Sequence, residues 1–234
     1  LLTIEKKHEK ILEDYLKIKN SPGIHEKKLW KKVDTYKKTF SYIPGVLCIC
    51  VGNSLAMNAA HKESDIDLFI ITKKNRIWTT RILITLILTL TGQRKTAKKH
   101  AEMFCLSFFI TENHLDLKDI AIKNDIYLRY WIQTLVPIIN KNHTFELFLD
   151  KNSTFFSLNK ETLYKSAVQK NTIKHKFSKK MGDICEKILQ NIFLPRTKKS
   201  FQKLGKPFGV IISDDILKFH NKDKRKEMRD IIFS

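Results

Sequence analysis

Apolar positions near the amino end recur with a helical period. Ile4, Ile11, Leu12, Tyr15 and Leu16 mark one face of a helix from Thr3 to about Lys19, which Asn20, Ser21, Pro22 and Gly23 stop. Leu29, Trp30, Val33 and Tyr36 mark a second helix, from Glu26 to Thr39. After a turn at Ser41 to Gly45 the pattern becomes an unbroken apolar run, Val46 to Val51, which reads as a buried strand. Gly52 turns the chain, and Asn53 and Ser54 open a short helix. A second strand, Asp65 to Ile71, turns Ile66, Leu68 and Ile70 to one side and Asp65, Asp67 and Phe69 to the other. Asn75 to Leu90 is apolar nearly all round, yet it is shorter than the roughly 20 residues a bilayer needs, and Arg76 and Arg81 interrupt it. It reads as a buried helix, and no membrane span is expected. Glu102 to Thr111 is the third strand.

From Asp116 the pattern reads as mostly helical. Asp119 to Ile139 forms one run carrying Ile122, Ile126, Tyr127, Tyr130, Trp131, Leu135 and Val136, bent or ended by Pro137, with Tyr130 and Trp131 as packing residues. A short apolar piece follows at His143 to Leu149, then a turn-rich link at Asn152 to Asn159. One or two helices fill Leu163 to Leu194, ended by Pro195, and Phe208 to Ile212 is a short strand or turn. Ser213 caps a final helix with Asp214 and Asp215 in its first turn, and His220 faces solvent. The expected fold class is α+β. A small mixed sheet with packed helices occupies residues 1–115, and a mainly helical region, residues 116–234, packs on it.

Charge and cysteine usage narrow the chemistry. A net charge of +20 favours polyanions such as RNA, DNA or nucleotides, although the lysines are spread along the chain. Cys48, Cys50, Cys105 and Cys185 lack zinc spacing and read as core thiols. No arginine-flanked apolar leader stands at the amino end, and the expected location is cytoplasmic.

The chemistry concentrates in Asp65 and Asp67. Two carboxylates on one face of a strand repel each other unless a cation or donors compensate. A hard ion such as Mg2+ takes oxygen ligands and commonly combines one or two carboxylates with substrate phosphates. Gly52 to Ser54 stands beside them as a turn whose backbone donors and serine hydroxyl suit a phosphate. Glu102, at the start of the third strand, is the nearest further acid. Arg94, Lys95, Lys98 and Lys99 form a basic loop, read either as a solvated connection or as a phosphate or RNA contact.

GNS at Gly52 to Ser54, followed by SDIDLFII from Ser64 to Ile71, resembles the nucleotidyltransferase superfamily that includes DNA polymerase beta, poly(A) polymerases and CCA-adding enzymes. DLKDIAIKNDIYLRYWIQTLVPII and SDDILKFHNKDKRKEMRD resemble uncharacterised nucleotidyltransferase-domain proteins of small microbial genomes. The resemblance implies that Gly52, Asn53 and Ser54 contact the nucleotide, with Asn53 in a position often held by a small residue. It also implies that Asp65 and Asp67 are the catalytic acids and hold Mg2+ or Mn2+. Many relatives carry a further glycine where Asn58 stands. A third carboxylate is usual in the superfamily, and Glu102 is the candidate for it.

The implied activity is transfer of a nucleoside monophosphate from an NTP to a hydroxyl of an RNA, a protein or a small molecule. Two other readings stand beside it. One is a catalytically silent RNA- or nucleotide-binding module, the other a structural or antitoxin-like interaction protein.

Overall fold

The structure is a computed structural model that describes residues 6–156, 179–221 and 223–233. Its elements in chain order are α1 (Lys6–Leu16), α2 (Ile24–Ser41), β1 (Val46–Gly52), α3 (Asn53–Ala56), β2 (Ile66–Thr72), α4 (Ile77–Leu90) and β3 (Phe104–Thr111). A 3-10 turn (Lys118–Ile120) leads to α5 (Ile126–Thr134), β4 (Val136–Asn140) and α6 (Thr144–Phe156). Beyond these come α7 (Lys179–Lys203), β5 (Val210–Ile212), β6 (Ile216–Phe219) and α8 (Arg225–Phe233).

The strands form one mixed sheet in the order β4-β1-β2-β3-β6-β5. Only β2 and β3 run parallel; the other neighbours are antiparallel. The fold is α+β, as the alternation of periods indicates. The region after residue 116 carries α5 to α8 and also contributes β4, β5 and β6 to the sheet.

Both faces of the sheet are covered, which explains why β1 is apolar without alternation. Ile49, Val51, Ile66, Leu68, Ile70 and Phe109 pack on one side with Leu29, Val33 and Phe40 of α2 and with Ile77, Trp78, Ile84 and Leu88 of α4. Cys48, Cys50, Phe69, Ile71 and Phe108 face the other side, against Leu128 and Trp131 of α5 and Phe145 and Phe148 of α6. A smaller cluster, Leu12, Ile126, Met228 and Ile232, joins α1, α5 and α8. Among the described residues no helix is long and apolar enough to cross a membrane.

The single helical run expected over Asp119 to Ile139 is instead a turn, a helix and a strand. Asp125 caps α5 by accepting from the Leu128 backbone N–H at 3.0 Å. Pro137 lies in β4 opposite Cys50, at the edge of the sheet, where a missing N–H is tolerated. Ser213 does not cap a helix. Its hydroxyl accepts from the Ile216 N–H at 2.9 Å and closes the β5–β6 hairpin. The same local bond serves a cap or a turn, and the open edge of β3 decides for the strand.

Pro195 sits inside α7, where Asn191 and Pro195 are both exposed, so solvent can satisfy the carbonyl that the proline leaves unpaired. Asn152, read as a turn residue, is fully buried in α6. Its amide accepts from the Leu117 N–H and donates to the carbonyls of Leu115 and Phe148. Residues up to Phe156 of the expected link continue α6, while residues 157–159 and the first part of the helical run from Leu163 lie outside the described residues.

The amino end of α4 is capped from a distance. Glu186 of α7 accepts from the N–H groups of Trp78 and Thr79 at 2.8 Å each and from the Thr79 hydroxyl at 2.6 Å. A carboxylate there satisfies orphan donors and complements the helix dipole. Glu186→Ala is expected to destabilise the protein by about 2 kcal/mol in urea unfolding. A change below about 0.5 kcal/mol, the size usual for a surface substitution, would contradict the cap.

Candidate metal site in an open cleft

At one end of the sheet the leading residues of β2 and β3 lie side by side. Asp67 is opposite Gly52 on antiparallel β1 and level with Cys105 on parallel β3. Asp65, Asp67 and Cys105 bring two carboxylate oxygens and a sulfur to within 4.8 Å of one another. They open into a cleft of about 290 Å³, whose other walls include Asn53, Tyr127 and Trp131 from the α3 and α5 side and Lys218, His220, Asp223 and Lys224 from the carboxyl end.

Asp67 is held from both sides. Asn53, at φ 53° in the left-handed region that asparagine tolerates, donates from Nδ2 to Asp67 Oδ2 at 2.8 Å and accepts from the Tyr127 hydroxyl at 3.1 Å. On the other side the Ser107 hydroxyl lies 3.4 Å from Asp67 Oδ1, and His220 Nε2 lies 3.0 Å from the same hydroxyl. Burial, then the charge of Asp65, push the Asp67 carboxyl up to about 6. Burial also raises the Cys105 thiol, as do the two aspartates. Lys95 Nζ donates to Asp65 Oδ2. Burial opposes the charge of Lys95, but its hydrogen bond to Asp65 helps leave its pKa raised.

The residues singled out in the sequence are placed unequally. Asn53 lines the cleft, whereas Gly52 and Ser54 do not. Gly52 permits close packing of α5, since a Cβ there would stand 2.9 Å from Trp131 Nε1. Ser54 is half-buried in the single turn of α3. In the basic loop Lys95 reaches the acids, Lys99 Nζ bonds the Gly92 carbonyl at 3.1 Å, and Arg94 and Lys98 are exposed. Glu102 does not join the pair. Its carboxylate accepts from Lys28 Nζ at 2.8 and 2.9 Å, which ties the start of β3 to α2.

The donor set that does converge fits a divalent cation. Two carboxylates supply oxygen and charge, and the thiol supplies a third donor.

Cys105, Ser107, Tyr127 and His220 were not foreseen at this site. The alternation of Cys105 and Ser107 along β3 places both on the cleft face, and Lys218 on β6 and His220 just beyond its end line the same cleft. His220 does not face open solvent but lies at the cleft wall, and burial lowers its pKa to about 4 from an ordinary 6.5.

As pH falls through that interval, the unfolded chain takes up the proton first, so stability is lost from about pH 6.5 toward about pH 4. Asp67, raised to about 6, works in the opposite sense between about 4 and 6. The histidine contribution is therefore isolated by comparing unfolding of the native chain and His220→Gln across this range. The native chain is expected to weaken relative to the variant on acidification, and parallel profiles would contradict the burial of a neutral imidazole.

Comparison with protein-family models, with curated proteins and with solved structures finds no match to this chain.

Proposed function

We propose that this protein is a metal-dependent nucleotidyltransferase. It moves a nucleoside monophosphate from an NTP to a hydroxyl of an RNA, a protein or a small molecule, with Mg2+ or Mn2+ as cofactor. The observation that carries this reading is the Asn53–Asp67 hydrogen bond, which joins the GNS turn to the acidic strand at the floor of a cleft.

In this reading Asp65 and Asp67 are the ligands, and Asn53 and Ser107 fix the direction of the Asp67 carboxylate. A divalent cation bound there stabilises charge developing on a phosphoryl oxygen and lowers the pKa of an acceptor hydroxyl. Lys95 sits where it can exchange Asp65 for a phosphate oxygen. In the same reading Gly52 and Ser54, which flank Asn53 without lining the cleft, would contact the nucleotide phosphates, and Arg94, Lys98 and Lys99 would extend a basic track for an RNA acceptor.

One observation favours a second reading, a silent nucleotide- or RNA-binding module. The residues β3 presents beside Asp67 are Cys105 and Ser107, not a carboxylate. Thermal unfolding with Mg2+ or Mn2+ and NTPs, singly and together, separates the two. Transfer requires that metal and nucleotide stabilise together more than the sum of each alone, and that this coupling vanish in Asp65→Asn/Asp67→Asn. Nucleotide stabilisation without metal, unchanged in the variant, would establish the silent module instead. An interaction protein responds to neither.

A further inference from the structure

Parallel pairing of β2 and β3 puts Cys105 level with Asp67, and the next residue of β3 on that face, Ser107, approaches the Asp67 carboxylate. Cys105 therefore occupies the place from which β3 addresses an ion held by the two aspartates. Its sulfur and one oxygen of each aspartate lie within 4.8 Å of one another, a spread that one cation can bridge. A cationic group is already drawn to the cluster, since the Lys95 ammonium rests on Asp65. Cys48 and Cys50 are fully buried, with their sulfurs 3.5 Å apart, and Cys185 lies on α7; none of the three lines the cleft.

Keeping the metal-dependent reading above but not its choice of ion, we infer that Cys105 is a sulfur ligand of this centre, so that the site favours a thiophilic divalent ion such as Zn2+ or Co2+ over Mg2+. Mg2+ keeps oxygen ligands in a strict octahedron and gives up water reluctantly, whereas thiolate ligands select Zn2+ and its neighbours. On binding, a sulfur–metal bond forms and the thiol proton passes to solvent, as for other metal-bound cysteines. Lys95 releases Asp65 as the ion takes its place.

The test is titration of the full chain with Co2+, followed by the thiolate-to-cobalt charge-transfer absorption, together with calorimetric binding of Zn2+ and Mg2+. The native chain is expected to show the charge-transfer band, and Cys105→Ser to lose it although three cysteines remain. Cys105→Ser is expected to lower Zn2+ affinity by about 10- to 100-fold while leaving Mg2+ affinity unchanged. Cys105→Asp, which restores an oxygen ligand, should bind Mg2+ more tightly than the native chain and keeps the test decisive if the serine variant unfolds.

A band that never appears, or that persists in Cys105→Ser, overturns the inference, as does an equal loss of Zn2+ and Mg2+. Mg2+ binding abolished by Asp65→Asn/Asp67→Asn, with no charge-transfer band in the native chain, would overturn the role of Cys105 and leave the proposed function standing. Metal binding indifferent to both aspartates would overturn both.

Discussion

Replacing Asp125 by alanine is expected to cost about 3–5 kcal/mol of stability, because it removes one partner of a buried charge network and leaves the rest uncompensated. The Asp125 side chain is fully buried and accepts from Arg225 Nη1 at 2.8 Å. It also accepts from the N–H groups of Leu128 and Ile122 at 3.0 and 3.1 Å. Arg225 is bound in turn by Asp223, which also takes the buried ammonium of Lys218 at 2.8 Å. Two carboxylates thus balance two cations. Without Asp125, Arg225 and Lys218 share one acid, and α5 loses its cap.

The network forms the cleft wall that carries Lys218 and Asp223, so the loss should also loosen the site. Urea unfolding with Asp125→Asn as a partial rescue measures it. A cost below about 1 kcal/mol, within the range of an exposed ion pair, would contradict the network.

Asp67→Asn is expected to have two effects of opposite sign. Burial and the neighbouring Asp65 hold the Asp67 carboxyl at about 6 against an ordinary 3.8. Below pH 4 both folded and unfolded forms are protonated and nothing is lost. Above about pH 6 the folded chain bears a charge it disfavours, and the penalty is complete. The full shift corresponds to about 3 kcal/mol, and partial solvation discounts it to about 1–2.

The asparagine variant should therefore be more stable than the native chain at pH 7.5, with an advantage that fades toward pH 4. The same variant should lose divalent-metal binding by more than the roughly 10- to 100-fold typical of a group one step removed from the ion. A gain of stability with loss of ligand binding is what an acid kept for function, at the expense of the fold, would give. If Asp67→Asn destabilised the protein and left metal binding unchanged, Asp67 would be a structural acid.

The acidic strand was legible because its physics is local. Alternation alone separates Ile66, Leu68 and Ile70 from Asp67 and Phe69; the first set enters the cluster on one face of the sheet, Phe69 enters the cluster on the other, and Asp67 opens into the cleft. What lies beside Asp67 depends on strand register, which no local pattern carries. Glu102 is the next acid along the chain after Asp67, yet the parallel register aligns Cys105 with Asp67, and Lys28 on α2 claims Glu102.

The carboxyl-terminal strands were hidden for a related reason. Val136 to Asn140 continues a helical-looking run until β1 supplies a partner edge, and Ile216 to Phe219 is too short to declare itself without β3. Because the pattern alone reads as helix from Ser213, it turns His220 to solvent, although His220 completes the Ser107 side of the site.

The most direct test of the central claim is incubation of the purified protein with Mg2+, Mn2+, Zn2+ or Co2+, each alpha-labelled NTP and a mixture of RNA, protein and small-molecule acceptors, alongside Asp65→Asn/Asp67→Asn. Label moving onto an acceptor with the native chain, and not with the variant, is the result expected of a nucleotidyltransferase built on these two aspartates. Label that stays with the free nucleotide across all three acceptor classes, or that transfers equally with the variant, would contradict it.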